Sequence, residues 1–170
     1  MIKIGERLPT GSVQEFIEVE TEGCSLGPNT FDVEKETAGK TVVIVGLPGA
    51  FTPTCSARHM PSYIEHIADR KAAGVDEVWC ISVNDPFVMG AWGRELGATG
   101  AVRMMGDGSA EYVTALGLQL DLTGRGMGVR STRYSMLVVD GVVRQLNVEE
   151  PGKFEVSNYE TALKQAKALK

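Results

Sequence analysis

Residues 41–55 read Thr-Val-Val-Ile-Val-Gly-Leu-Pro-Gly-Ala-Phe-Thr-Pro-Thr-Cys. The first seven residues are almost continuously apolar and β-branched, which predicts a strand over Thr41–Leu47 that is buried on both faces of a sheet. A turn rich in proline and glycine follows, and Cys55 falls where a helix is expected to begin. The unpaired N–H groups and partial positive charge of a helix N-terminus lower the pKa of a thiol. The segment therefore predicts an activated cysteine nucleophile.

The rest of the chain alternates predicted strands and helices. Strands are predicted over 77–83, 102–105, 134–139 and 142–148, and helices over 56–73, 86–96, 109–116 and 158–169. Pro61 predicts a kink in the first of these helices, and Asp140-Gly141 predicts a two-residue hairpin turn. Residues 1–40 are expected to form an irregular strand region with a hairpin around 23–29. This order predicts an α/β protein with a mixed central sheet flanked by helices, arranged as a thioredoxin-like fold with an N-terminal extension.

Length and composition favour one globular domain over residues 1–170, with a net charge of −5. That charge argues against nucleic acid as a partner, because phosphate binding needs a concentrated basic surface. No apolar run approaches the roughly 18 residues of a membrane span, and the N-terminus has no apolar signal-peptide core, so we expect a cytoplasmic location without membrane contact. The three cysteines have no regular spacing, which argues against a disulfide framework. No Cys/His cluster has zinc spacing, so no metal site is expected.

Four segments resemble one family. Pro48, Thr52 and Cys55 reproduce the Pro-x-x-x-Thr-x-x-Cys motif of the peroxiredoxins. Three further segments resemble the type II, peroxiredoxin V-like subfamily, and they read Ser82-Val-Asn-Asp-Pro-Phe-Val-Met, Arg133-Tyr-Ser-Met and Asn147-Val-Glu-Glu-Pro-Gly-Lys-Phe-Glu-Val. The resemblance runs from about Ile4 to the final helix, which makes it specific.

The resemblance implies a thiol peroxidase that reduces hydrogen peroxide and alkyl hydroperoxides without metal, haem, flavin or other cofactor. Cys55 would attack one peroxide oxygen and become a sulfenic acid. Charge develops on the leaving oxygen, so fixed donors aimed at it lower the barrier. Thr52 and Arg133 would position the peroxide and stabilise that oxygen, with Arg133 assigned by family alignment.

The turn before the cysteine would shape the pocket. Pro48 lacks an N–H and would shield the thiolate from water, while Gly49 forms part of the pocket beside it. The backbone N–H groups of Thr54 and Cys55 are expected to point out of the helix start toward the substrate. Arg130 is expected to be a neighbour of the catalytic arginine and not the catalytic arginine itself.

The sequence leaves the resolving step open. Cys80 is expected to be a core thiol in a buried strand. Plant and bacterial members of the subfamily carry a second cysteine at this spacing, so the alternative for Cys80 is a resolving or accessory role. The cysteine that mammalian members use has no equivalent in Phe154-Glu-Val-Ser-Asn. We therefore expect an external thiol, with glutathione and glutaredoxin favoured and thioredoxin as the competing reductant. The resemblance also implies a homodimer.

Other interpretations remain at this point. A thioredoxin-fold module that senses peroxide or signals through Cys55 without turning over would carry the same activated thiol. His59 lies four residues after Cys55 and is expected to be a solvent-exposed helix residue, not the base of a Cys–His dyad. The glycine-rich run 124–128 is expected to be a flexible connection, not a phosphate-binding loop.

Overall fold

The structure is a computed structural model that describes residues 1–169. A seven-stranded mixed sheet lies at its centre, in the order β2-β1-β5-β4-β3-β8-β9, and a separate two-stranded ribbon pairs β6 with β7. The strands are β1 (Ser12–Ile17), β2 (Gly27–Asp32), β3 (Thr41–Leu47), β4 (Glu77–Ser82), β5 (Arg103–Gly106), β6 (Gln119–Leu122), β7 (Gly128–Ser131), β8 (Tyr134–Val139) and β9 (Val142–Val148). The α-helices are α1 (Val33–Thr37), α2 (Met60–Glu65), α3 (Pro86–Leu96), α4 (Glu111–Leu116) and α5 (Tyr159–Lys167).

Strand β3 lies at the centre of the protein, because its side chains alternate between the two hydrophobic cores on the two faces of the sheet. Val43, Val45 and Leu47 pack on one face of the sheet with residues of α2, α3 and α5. Val42 and Ile44 pack on the other face with α4 and the N-terminal segment. Strand β3 runs parallel to β4 and antiparallel to β8. Burial on both faces explains why the strand reads as a continuous apolar run.

Several predicted elements occur as expected. Strand β3 has the predicted bounds, and β8 and β9 form the predicted hairpin. At its turn Asp140 and Gly141 have φ of 47° and 76°, the left-handed values that a tight two-residue turn requires. Helix α3 begins after Asp85, whose side chain accepts a hydrogen bond from the N–H of Val88.

The N-terminal region is more regular than the sequence predicts, and the glycine-rich run lies within a hairpin. Strands β1 and β2 form an antiparallel hairpin that joins the main sheet through β5, and a short helix α1 follows it. Most of the run lies in the loop between β6 and β7, which includes a 3-10 turn over Thr123–Arg125, and Gly128 begins β7. The run is therefore a connection between two strands, as the sequence predicts, and its flexibility stays a prediction.

The helix predicted over 56–73 is broken into three pieces. Helical geometry starts at Pro53, and Cys55–His59 forms one π-helical turn in which the N–H of Met60 donates to the carbonyl of Cys55. Helix α2 follows, and a 3-10 turn covers Ile67–Arg70. The distortion lies in the turn that precedes Pro61, where a proline removes a backbone donor and clashes with the carbonyl four residues earlier.

Two contacts hold the sheet in register. A side chain at Gly46 would place its Cβ 2.0 Å from the ring of Tyr134, so β3 and β8 approach closely only because position 46 is glycine. Nearer the β1 edge of the sheet, one arginine, Arg103, binds three glutamates on three different elements: Glu15 at 2.9 Å, Glu36 at 2.9 Å and Glu77 at 3.0 Å. Within residues 1–169 no helix is long and apolar enough to cross a membrane.

Candidate active site

Cys55 lies at the start of the helical segment that follows β3, as the sequence predicts. Helical geometry begins at Pro53, so the N–H groups of Thr54 and Cys55 belong to the first turn, where no intrahelical carbonyl can accept them. The Cys55 side chain has no exposed surface and packs in the core that contains α2, α3 and α5. A buried sulfur beside unpaired backbone donors is suited to carry negative charge.

Arg133 supplies a guanidinium directly to this sulfur. Its Nη2 donates to Cys55 Sγ at 3.2 Å, although the two residues are 78 positions apart. The antiparallel pairing of Gly46 with Tyr134 places Arg133, which immediately precedes β8, next to the end of β3. The structure therefore brings together the cysteine and the arginine that the resemblance selects.

His59 is the largest departure from expectation at this site. Its side chain has no exposed surface, so the prediction of a solvent-exposed residue is wrong. Ring atom Nδ1 lies 2.8 Å from Arg133 Nη1, and Nε2 lies 3.0 Å from the carbonyl oxygen of Ser157. An arginine only donates hydrogen bonds, so Nδ1 is the acceptor and Nε2 carries the proton that is donated to Ser157. Burial, with the nearby Arg133 cation, lowers the pKa of His59 to about 3, and the ring is neutral at physiological pH.

The signal for a buried His59 is present in the sequence. It lies four residues after Cys55 and four before Tyr63, both of which are buried. Residues at this spacing share one face of a helix, so a buried Cys55 places His59 on the buried face. What the local pattern lacks is the partner for each ring nitrogen, because Arg133 and Ser157 come from distant segments.

The turn before Cys55 is fixed by hydrogen bonds of its own. Thr52 Oγ1 donates to the carbonyl of Gly49 at 2.7 Å, so its oxygen is left as an acceptor toward the site. Arg130 Nη1 lies 3.5 Å from the carbonyl of Pro48. A Cβ at Gly49 would come within 2.8 Å of that guanidinium, which explains the glycine. Arg130 therefore supports the turn from behind, and Arg133 reaches the sulfur.

A cavity of about 490 Å³ lies beside the turn that precedes Cys55. Its lining residues come from the cysteine turn, the β6–β7 hairpin and the segment after β9: Pro48, Thr52, Pro53, Thr54, Leu120, Leu122, Arg125, Met127, Thr132, Arg133, Glu149, Glu150, Pro151, Gly152 and Lys153. Four predicted site residues, Pro48, Thr52, Thr54 and Arg133, face this space. Gly49 is not part of the lining, and its carbonyl accepts from the Thr52 hydroxyl. Cys55 is not part of the lining either, but its neighbour Thr54 and its partner Arg133 are.

The segment after β9 covers the other side of His59, a role that the sequence does not predict. The ring of Phe154 lies 4.9 Å from the ring of His59, and the guanidinium of Arg58 lies over Phe154 at 5.0 Å. Glu149, at the end of β9, is 7% exposed and bonds to backbone N–H groups of the same segment. The run Asn147-Val-Glu-Glu-Pro-Gly marks this segment in the sequence, but it does not indicate the function of each residue.

Cys80 occupies the middle of β4 and has no exposed surface. Burial raises the pKa of the Cys80 thiol well above its usual value, and the charge on Cys55 raises it further. The thiol is therefore protonated and enclosed. Among residues 1–169 no group of three or more His, Cys, Asp or Glu side chains is placed to hold a metal ion.

Comparison with known proteins finds relatives over nearly the whole chain. The Redoxin family model matches residues 3–163. Peroxiredoxin-2B of Arabidopsis thaliana is 45% identical over 163 residues, which cover 96% of this chain and 97% of the relative. The solved structure of reduced Prx3 from Vibrio vulnificus in complex with hydrogen peroxide has a TM-score of 0.90 and is 44% identical, and the match covers 98% of this chain and 99% of that one. These similarities confirm the predicted thioredoxin-like fold.

A Burkholderia cenocepacia structure, described provisionally as a thioredoxin reductase, has a TM-score of 0.95 and 59% identity over 96% of this chain and 97% of its own. This chain does not carry the Cys-x-x-Cys pair typical of disulfide oxidoreductases, since Arg58 stands three residues after Cys55. The single cysteine at the helix start therefore does not fit a disulfide oxidoreductase, and it fits the similarity to the peroxiredoxins above.

Proposed function

This chain belongs to the redoxin family and is a peroxiredoxin, a thiol-dependent peroxidase, and we propose that Cys55 is its peroxidatic cysteine and that glutathione with glutaredoxin regenerates it. The observation that carries the assignment of Cys55 is the 3.2 Å contact between its sulfur and the guanidinium of Arg133, beside a cavity of about 490 Å³. A guanidinium at that distance stabilises a thiolate and can also donate to a peroxide oxygen.

In the first step the thiolate attacks one oxygen of the peroxide and the O–O bond breaks. Cys55 becomes a sulfenic acid, and the second oxygen takes a proton and leaves as water or an alcohol. Arg133 donates to the oxygen on which charge develops. The hydroxyl of Thr52 donates its hydrogen bond to the carbonyl of Gly49, so Oγ1 can accept a hydrogen bond from the peroxide O–H. Pro48 limits water access from one side, and the first-turn N–H groups of Thr54 and Cys55 face the substrate.

The size and walls of the cavity support organic hydroperoxides as substrates besides hydrogen peroxide. Leu120, Leu122 and Met127 form an apolar wall that can contact an alkyl group. Cys55 has no exposed surface, so a substrate reaches the sulfur only when residues around it move. The proposed chemistry uses groups of this chain and an external thiol, without a bound cofactor or metal.

Regeneration by an external thiol is supported by the position of Cys80. A disulfide between Cys55 and Cys80 would require a protonated, fully enclosed thiol in the centre of a sheet to react. A glutathione thiol would instead attack the Cys55 sulfenic acid, releasing water and leaving a mixed disulfide. A second thiol, from glutaredoxin or glutathione, would then release reduced Cys55. Arg125 and Lys153 at the cavity wall carry charges that suit the carboxylates of glutathione.

One experiment separates the reductants. The protein is treated with one equivalent of peroxide, with and without glutathione, and its mass is measured, together with Cys55→Ser and Cys80→Ser variants. We expect a glutathione adduct on Cys55, no reaction in Cys55→Ser and wild-type behaviour in Cys80→Ser. A Cys55–Cys80 disulfide, with turnover supported by thioredoxin, would contradict glutathione dependence. Stoichiometric oxidation without turnover under either reductant would favour a peroxide sensor, and full turnover by Cys55→Ser would contradict the assignment of Cys55.

We also propose a homodimer and a cytoplasmic location. Phe51, in the turn before Cys55, and Phe87, at the start of α3, are 50% and 61% exposed. Large exposed aromatic side chains at helix starts are typical of association surfaces. Sedimentation of wild type and of a Phe51→Ser, Phe87→Ser double variant tests the dimer. Relatives include chloroplastic and mitochondrial proteins, so imaging of the tagged full chain in its host tests the location.

A further inference from the structure

We propose that Glu149 is a positioning residue of the peroxidatic site, which fixes the orientation of His59 and, through it, of Arg133. The proposal rests on the proposed role of Cys55 and adds a residue that does not touch the sulfur. It starts from an unusual concentration of hydrogen bonds on one carboxylate at the end of β9.

A single oxygen of Glu149 binds four donors. Oε2 accepts from the backbone N–H groups of Glu155 and Val156, both at 2.8 Å, and of Ser157 at 2.9 Å. The hydroxyl of Ser157 adds a fourth bond at 2.7 Å. Three successive backbone N–H groups that converge on one point form a concave anion site. The carboxylate of Glu149 therefore serves as the anion around which the segment 155–157 is wrapped.

The wrapped segment presents one carbonyl to the active site. The Ser157 carbonyl accepts from His59 Nε2 at 3.0 Å and from the hydroxyl of Tyr63 at 2.8 Å. Ser157 and His59 both have no exposed surface, so water cannot replace this acceptor. A carbonyl opposite Nε2 keeps the proton on that nitrogen and leaves Nδ1 free to accept from Arg133 at 2.8 Å.

Glu149 also contacts Arg133 directly, backbone to backbone. Its N–H donates to the carbonyl of Arg133 at 2.9 Å. The same residue is therefore tied to the backbone of Arg133 on one side and to the acceptor of His59 on the other. A change in the Glu149 side chain alters its bonds to the segment 155–157 and leaves the backbone bond to Arg133 in place. The two contacts can therefore be tested separately.

The charges around His59 decide how the site responds when Glu149 is changed. The titratable and charged groups that face the ring are Cys55 and Tyr63 on its own helical segment, Arg133 beside β8 and Glu149 after β9. Burial is the main reason for the low pKa of His59, and the charge of Glu149 raises that pKa only as a minor contribution. Loosening the segment 155–157 would admit water to the ring. Burial is the largest of the effects on this pKa, so its relief would outweigh the loss of both the Ser157 hydrogen bond and the Glu149 charge, which raise the pKa in the native protein. The pKa of His59 would then rise from about 3 toward its ordinary value.

The Glu149 carboxylate is itself stabilised as an anion. Burial would raise its pKa, but the bonds from Ser157, Val156 and Glu155 together lower the pKa below the ordinary value for glutamate. The four donors therefore bind a charged acceptor across the pH range in which the enzyme works, and such bonds are roughly twice as strong as neutral ones.

The test compares Glu149→Ala, Glu149→Gln and Glu155→Gln. Glu155 is the matched control, because its side chain is exposed in the same segment and its substitution removes the same charge. The second-order rate constant of Cys55 oxidation by peroxide is measured, and the ring nitrogens of His59 are followed by ¹⁵N NMR as the pH is lowered. We expect a loss of about 10- to 100-fold in Glu149→Ala, since a misplacement near 1 Å costs about that much. Glu149→Gln should lose less, and Glu155→Gln should match wild type.

A double-mutant cycle with His59→Leu separates positioning from a general structural role. If Glu149 acts through His59, the His59→Leu, Glu149→Gln double variant reacts as slowly as His59→Leu alone. The His59 ring in Glu149→Gln should also protonate at a higher pH than in wild type. Should Glu149→Ala fail to fold, the glutamine variant and its cycle still decide the question.

Three results would overturn the proposal. They are a wild-type rate constant in Glu149→Ala, strictly additive losses in the double variant, or an unchanged His59 titration in Glu149→Gln together with a reduced rate. A Cys55→Ser variant that retains turnover would instead refute the proposed function, so the two failures are distinguishable.

Discussion

Replacing His59 by leucine tests whether Arg133 needs its second partner to act on Cys55. Leucine fills a similar volume, and the Ser157 carbonyl keeps its bond from the Tyr63 hydroxyl at 2.8 Å. The loss is therefore concentrated on Arg133 Nη1, which has a 2.8 Å bond to His59 in the native protein. A hydrogen bond from a charged donor contributes about 1.5–3 kcal/mol. If that amount is lost from the transition state, the peroxide step slows by about 10- to 100-fold.

The assay is stopped-flow fluorescence of the reduced enzyme mixed with hydrogen peroxide. Trp92 reports on the site, since its indole N–H donates to the hydroxyl of Ser56, the residue after Cys55, at 3.0 Å. His66→Leu is the matched control, because His66 is exposed and stacks on Tyr159 at 4.8 Å, outside the cavity lining. We expect slow oxidation in His59→Leu and a normal rate in His66→Leu. An oxidation rate within twofold of wild type in a folded His59→Leu protein would refute the role of His59 as a support for Arg133.

Three further predictions concern stability. The pKa of His59 is lowered from 6.5 to about 3 on folding, so the unfolded chain binds one more proton than the folded chain between those pH values. The free energy of unfolding should therefore fall by about 1.4 kcal/mol per pH unit as the pH drops through this window. In urea titrations, His59→Leu should flatten that slope. Arg103→Met leaves three glutamates without their shared cation. Breaking a buried ion pair costs about 3–5 kcal/mol, and because this arginine side chain is 24% exposed, we expect the free energy of unfolding in urea to fall by an amount at the lower end of that range. Stability should partly recover near pH 4.5, where glutamates take up protons, and an unchanged urea midpoint would contradict the prediction. Gly46→Ala forces a Cβ to within 2.0 Å of the Tyr134 ring, and it should destabilise the protein by about 4 kcal/mol or more, whereas a thermal midpoint equal to wild type would show that the strands can separate without cost.

The elements that the sequence predicts well are those whose signal is local. The apolar run of β3 reflects burial on both faces, which no surface strand shows. The Asp140-Gly141 turn and the Asp85 cap depend on backbone conformations and hydrogen bonds within a few residues. The position of Cys55 at a helix start belongs to the same class, because a strand, a proline-glycine turn and a helix are read from consecutive residues.

The helix after Cys55 shows where local signals stop. Apolar spacing and Pro61 predict one kinked helix, but the chain instead forms a π-helical turn at Cys55–His59, whose Cys55 is buried in the core beside the sheet. Short elements such as α1 and the β6–β7 ribbon are likewise absent from the prediction. Their few residues carry little periodicity, and their partners lie elsewhere in the chain.

The amino-acid sequence by itself determined the strand–turn–helix unit that presents Cys55 and the order of the main strands along the chain. Through family motifs it also selected Arg133 as the arginine that lies beside Cys55. Only the tertiary structure decided that His59 is buried and neutral, that Arg130 supports Pro48 while Arg133 reaches the sulfur, and that Glu149 organises the segment facing His59. The physical reason is that the partners of a polar side chain are set by segments that lie far apart in sequence. Periodicity indicates which face of an element is apolar, but a charged or polar residue on that face acquires its protonation state and its function only when the sheet brings its partners to it.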